Sequence, residues 1–208
     1  MKRILCFGDS NTWGYTPVTG ERYPAGVRWP TVLAEKYGCT VIEEGLNGRT
    51  SAFDDPTLPF AKGTDYIEAC AVTHEPLDLL IIMLGTNDMK TYVCNCADAS
   101  AKAVALIGRM ARSAIQRNDL PVLMISPIEI SEKRPFIEPP MRQINEESIK
   151  NTQKFAALFR EQAELNGFFF MDAALYAKAS DKDGVHMEPA DHIRLGEAVA
   201  EKVREILG

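Results

Sequence analysis

Five short runs rich in apolar, β-branched and aromatic residues, at 3–7, 40–44, 77–83, 121–126 and 168–172, alternate with segments of helical period. Strand-length and helix-length segments in strict alternation predict a parallel sheet, because each crossover between parallel neighbours needs a helix to carry the chain back. Trp29, Val32, Leu33 and Tyr37 fall on one helical face, as do Val104, Ile107, Met110, Ala111 and Ala114. Phe155, Ala156, Phe159 and Ala163 repeat the pattern. A last helix is expected to bury Ile193, Gly196, Val199, Ala200, Val203 and Ile206, and Pro189 suits its first turn, where a missing N–H has no intrahelical partner to lose. The expectation is a three-layer α/β/α sandwich with a five-stranded parallel sheet, formed by one domain over 1–208.

A domain of 208 residues buries roughly 70% of its unfolded surface, so neither disulfides nor metals are needed to hold it together. A net charge of -6 without clustered Lys and Arg argues against nucleic acid as a partner. No apolar stretch approaches the ~20 residues of a membrane helix, which argues against a membrane partner. Met1 is followed by two basic residues and a short apolar run without a small-residue cleavage site, so a cytoplasmic location is expected. Five cysteines (Cys6, Cys39, Cys70, Cys94 and Cys96) are an odd number in apolar contexts and read as reduced thiols. Cys94-x-Cys96 lacks the spacing of a redox or metal motif.

Two long connections interrupt the rhythm, 45–64 and 127–145, the second containing Pro139-Pro140. Connections of this length in a compact domain are usually functional lids or interaction surfaces.

Ligands of an open parallel sheet bind beyond the carboxyl ends of its strands. That rule selects Gly8-Asp9-Ser10 after the first strand, Gly45 to Thr50 after the second, Gly85-Thr86-Asn87-Asp88 after the third and Asp183-Gly184-Val185-His186 after the fifth. A serine at a strand-to-helix turn presents its hydroxyl to solvent, but the free hydroxyl is a weak nucleophile and needs a base held by an orienting group. Three histidines are available. His74 precedes the third strand and His192 falls inside the last helix, which suits structural roles. His186 lies on the right rim, and a tight turn at Gly184 would bring the Asp183 carboxylate beside its ring. Acyl transfer also needs donors for a developing oxyanion, and the N–H groups of Ser10 and Gly48 and the Asn87 amide are the candidates. Taken singly, Gly48 suits a plain turn and Asn87 a cap or Asx turn.

These blocks, in this order, resemble the SGNH or GDSL-type hydrolases: Gly8-Asp9-Ser10, Gly48, Gly85-Thr86-Asn87-Asp88 and Asp183-x-x-His186. The stretches "RILCFGDSNTWGY", "RWPTVLAEKYG", "VIEEGLNGRTSAFDDP" and "LDLLIIMLGTNDMKTY" are similar to bacterial cytosolic aryl esterases and acyltransferases of that superfamily. The resemblance implies a flavodoxin-like strand order 2-1-3-4-5 and a Ser10–His186–Asp183 triad acting on small-molecule esters without cofactor or metal. It also implies a homo-oligomer, dimer-based and in some members octameric, whose neighbours narrow the entrance with the long loops. The leucine of the family name is Asn11 here, so a substrate-binding role falls to Asn11 and, by the same resemblance, to Trp13 as a limit on acyl size. A carbohydrate O-deacetylase of the same superfamily is the alternative enzyme. A flavodoxin-like binding module is the alternative outside catalysis, although phosphate-binding glycine motifs are absent; the α/β-hydrolase elbow Gly-x-Ser-x-Gly is absent too, since position 12 is Thr.

Overall fold

All five apolar runs form strands in the computed structural model, which describes residues 1–133 and 143–208. Strands β1 (Arg3–Gly8), β2 (Thr40–Gly45), β3 (Leu79–Met83), β4 (Val122–Ser126) and β5 (Phe169–Asp172) pair in parallel in the order β2-β1-β3-β4-β5. The order is the one the resemblance implies. The last three strands begin one or two residues later than the apolar runs do. Pro121 has no N–H to donate, and its carbonyl accepts from Leu80 just ahead of β4.

Successive strand residues point to opposite faces, and each face has its own core. Leu5, Phe7, Leu80, Ile82 and Met124 pack against α3 (Ile67–Thr73), α4 (Ala97–Ala114) and α6 (Phe155–Leu165). Ile4, Cys6, Ile81, Leu123 and Ile125 pack against α2 (Trp29–Tyr37) and α7 (Pro189–Leu207). The two remaining helices among the described residues are short: α1 (Ser10–Trp13) directly after β1, and α5 (Glu146–Thr152). Asn145 and Ser148 form a reciprocal capping box at the start of α5.

One expected helical face is rotated. Ile193 is 37% exposed, and α7 instead buries His192, Leu195, Gly196, Val199, Ala200 and Val203. The stripe begins one residue earlier because the docking of α7 on α2 and the sheet selects the Leu195 side, which a count of apolar residues alone does not decide. Of the connection 127–145, residues 134–142 lie outside the described residues, Pro139-Pro140 among them. Among the described residues, no helix is long and apolar enough to cross a membrane.

Candidate active site

The end of β1 is shaped by a cap. The Asp9 side chain accepts from the Asn11 N–H at 2.9 Å, and its carbonyl accepts from Thr12 and Trp13. Ser10 therefore takes the first helical position, where N–H groups have no intrahelical acceptor. In the loop before α7, Asp183 Oδ1 accepts from the N–H groups of Val185 and His186, both at 2.9 Å, around Gly184 at φ +74°. These two bonds leave Oδ2 directed at the imidazole, 2.6 Å from His186 Nδ1. His186 Nε2 lies 2.9 Å from Ser10 Oγ, across 176 residues of sequence. An ionised carboxylate can only accept, so Nδ1 carries the ring proton and Nε2 accepts from the serine hydroxyl. Tyr15 covers the imidazole, with ring centroids 4.3 Å apart.

The loop after β2 brings Gly48 to the same place at φ +81°, a conformation glycine adopts freely, and a Cβ there would lie 2.3 Å from Leu58 Cδ1. The Asn87 amide donates to the Arg49 carbonyl at 3.2 Å, which fixes its orientation. Arg49 is nearly buried, and its Nη1 donates to the carbonyls of Gly8 and Glu44 while the guanidinium lies 4.1 Å over the Phe7 ring. This arginine ties the first three loops together. Asp88, fully buried, accepts from the Ser51 N–H, the Ser51 hydroxyl and the Ser100 hydroxyl at 2.6–2.8 Å. Burial raises the carboxyls of Asp9 and Asp88 to about 6, against the hydrogen bonds each accepts. Sequence reasoning missed Arg49, Tyr15 and the Asp88 network. The run Gly85-Thr86-Asn87-Asp88 marked Asp88 as part of a block, but its serine partners come from elements distant in sequence.

Ser10, Gly48, Asn87 and His186 all line one cavity of about 700 Å³, within the range of small-molecule sites. Leu46, Leu58, Phe60, Ile144 and Val185 make its walls largely apolar. The four sequence blocks are thus brought together on one rim. Two other candidates are not. Asn11 is buried, with its amide donating to the Val185 carbonyl at 3.2 Å and its Oδ1 accepting from the Met187 N–H at 3.1 Å. It holds α1 to the Asp183–His186 loop and is not among the residues that line the cavity. Trp13 lies outside the cavity lining: the short α1 turns it toward Arg22, whose guanidinium is 5.4 Å from its ring, and Tyr15 takes the place beside His186.

The remaining histidines are elsewhere. His74 caps the end of α3 and faces Glu44, and His192 is fully enclosed within α7.

The GDSL-like lipase/acylhydrolase family model matches residues 6–199, nearly the whole chain. The chain belongs to this family. A comparison with curated proteins gave no match. Among solved structures, the hydrolase superposes on an aryl esterase from M. smegmatis with a TM-score of 0.91 at 37% identity, both chains covered in full. A putative arylesterase from Agrobacterium tumefaciens gives the same TM-score, identity and coverage. Est24, a carbohydrate acetylesterase from Sinorhizobium meliloti, matches with a TM-score of 0.91 at 30% identity over all of both chains. Family and neighbours together identify an SGNH hydrolase.

Proposed function

We propose that this hydrolase is a serine esterase acting on small aryl or short-acyl esters through an acyl-enzyme on Ser10. The observation that carries the reading is the continuous chain from Asp183 Oδ2 through the His186 imidazole to Ser10 Oγ, at 2.6 and 2.9 Å. Ser10 Oγ attacks the ester carbonyl carbon while His186 Nε2 takes its proton, and the imidazolium is held by Asp183. The N–H groups of Ser10 and Gly48 and the Asn87 amide receive the oxyanion. When the intermediate collapses, the C–O bond to the alcohol breaks and His186 returns the proton to the leaving oxygen. Water, deprotonated by the same nitrogen, then cleaves the acyl–serine bond. The apolar cavity walls favour retention of an alcohol acceptor in place of water, so acyl transfer belongs to the same reading.

Likeness to Est24 favours carbohydrate esters as a second reading. The apolar lining speaks for aryl esters. The proposal further takes the enzyme as a cytoplasmic homo-oligomer, whose neighbours would cover Phe60, 68% exposed at the cavity.

Ser10→Ala tests the nucleophile: near-total loss of p-nitrophenyl acetate hydrolysis is expected with the circular dichroism unchanged, and retained turnover would reassign it. A panel of aryl esters from acetyl to decanoyl, run beside acetylated sugars, separates the two substrate readings. Turnover confined to the sugars would favour the second.

A further inference from the structure

Away from the Ser10 cavity, three side chains bearing metal-binding atoms converge where the edge strand β2 meets α3. Cys70 and His74 are four residues apart and so project from one face of the helix, with His74 at its C-terminal cap. Glu44, next to last in β2, reaches them from the strand, its Oε1 3.1 Å from His74 Nε2. One ligand atom from each of Glu44, Cys70 and His74 lies within 4.8 Å of the other two. Cys70 is buried, while the side chains of Glu44 and His74 are 20% and 25% exposed, so two of the three donors are in contact with solvent. The Tyr66 hydroxyl closes the group, 3.5 Å from Glu44 Oε1. None of these residues lines the cavity around Ser10.

We propose that Glu44, Cys70 and His74 form a binding site for a divalent cation of zinc character, separate from the esterase machinery. The donor set decides the class of ion. One sulfur, one imidazole nitrogen and one carboxylate oxygen suit a borderline-soft ion, whereas Mg²⁺ and Ca²⁺ take oxygen ligands. Zinc bonds of about 2.0–2.3 Å place tetrahedral neighbours roughly 3.3–3.8 Å apart, so side-chain adjustment alone closes the cluster around an ion. The Glu44–His74 contact opens and each atom turns to the ion, with the fourth position left to water or Tyr66. On coordination the Cys70 sulfur exchanges its proton for the ion, the proton passing to solvent. A thiolate and a carboxylate around a dication make a neutral complex. That neutrality matters beside the Arg49 guanidinium, 5.6 Å from the Tyr66 ring. The occupied site would cross-link an edge strand to the helix beneath it and so favour the native chain over the unfolded one.

The test uses the full chain, treated with a chelator and carrying Cys94→Ser and Cys96→Ser to remove the two more accessible thiols. Titration with Co²⁺ alone is expected to give one ion per chain, a thiolate-to-cobalt charge-transfer band and the visible absorption of a tetrahedral centre, all bleached by Zn²⁺. Zn²⁺ alone is expected to raise the Tm. Adding Cys70→Ser should remove the charge-transfer band. His74→Gln should weaken binding by at least the roughly 10–100-fold that loss of even an outer-sphere partner costs. Circular dichroism checks the fold of each variant. Absence of the band in the parent, its persistence in Cys70→Ser, or unaltered affinity in a folded His74→Gln would each overturn the proposal.

Discussion

His186 and His192 belong to the same C-terminal segment and both are buried, yet their surroundings differ in kind. In the loop, both nitrogens of His186 have partners: Asp183 on one side, Ser10 on the other. Within α7, neither nitrogen of His192 has a hydrogen-bond partner among the described residues, and its closest ring neighbour is Tyr23, edge-on at 5.4 Å. Burial first, then the charges of His186 and Arg28, push the His192 imidazole down to about 3. Removal from water makes a histidine chemically useful only when the lost water is replaced by a donor and an acceptor of fixed geometry. A loop can supply them because its backbone turns; a helical stripe supplies packing.

The largest effect that sharpens this contrast is expected from Asp183→Asn. The amide would keep Oδ1 for the two backbone N–H groups and turn its NH₂ toward His186 Nδ1, forcing the ring proton onto Nε2, where it faces Ser10 and blocks proton removal. Turnover of p-nitrophenyl acetate should fall by about 10⁴-fold. A drop of less than tenfold in steady-state kcat would remove Asp183 from its orienting role.

Next is Asn87→Ala, which deletes one of the proposed oxyanion donors while leaving both histidines untouched. A loss of about 10²–10³ in kcat is expected, with KM little changed. Comparable effects on KM alone would recast Asn87 as a binding contact.

His192→Leu probes the other side of the comparison through stability. The native ring stays neutral down to about 3, whereas in the unfolded chain it protonates below about 6.5. The unfolded state therefore binds the extra proton in that window, and this histidine costs stability as pH falls. Asp9 and Asp88 work oppositely, since their carboxyls titrate near 6 when folded and near 3.8 otherwise, so the native state gains from acidification through that window. Comparing variant with parent at each pH cancels the aspartates. The parent should lose about 2 kcal/mol relative to His192→Leu between pH 7 and pH 5 in denaturant unfolding, with ester turnover at pH 7 unaffected. An identical pH dependence would mean the ring protonates in place.

The smallest change is expected at Trp13. Because the ring packs toward Arg22 outside the cavity, Trp13→Ala should move the preference between acetyl and longer aryl esters by well under the about tenfold that one methylene of pocket space is worth. Leu58→Ala, which opens the cavity wall, should exceed it. The reverse ranking in kcat/KM would return Trp13 to the pocket.

Much of this was legible before folding. Continuous apolar runs of strand length, alternating with segments of helical period, pointed to the layers, and the rule that ligands bind beyond strand carboxyl ends picked out Ser10, Gly48, Asn87 and His186, which do share a cavity. Asp183 was legible because its bond to His186 is local, made within one turn at Gly184. The short helices α1, α3 and α5 escaped periodicity, which needs more turns than they have. Asn11 and Trp13 were misplaced because adjacent helical residues point in different directions, and nothing local says which direction faces the cavity.

The sequence by itself thus determined the order and type of the strands and longer helices and the local turns that aim individual side chains, because hydrophobic period and turn chemistry act over a few residues. Tertiary structure alone decided which side of α7 is buried, that Arg49 would join three loops, and that Glu44 would meet Cys70 and His74. Those outcomes depend on how strands register and helices dock, which are contacts between segments far apart in the chain and are settled only when the whole core packs at once.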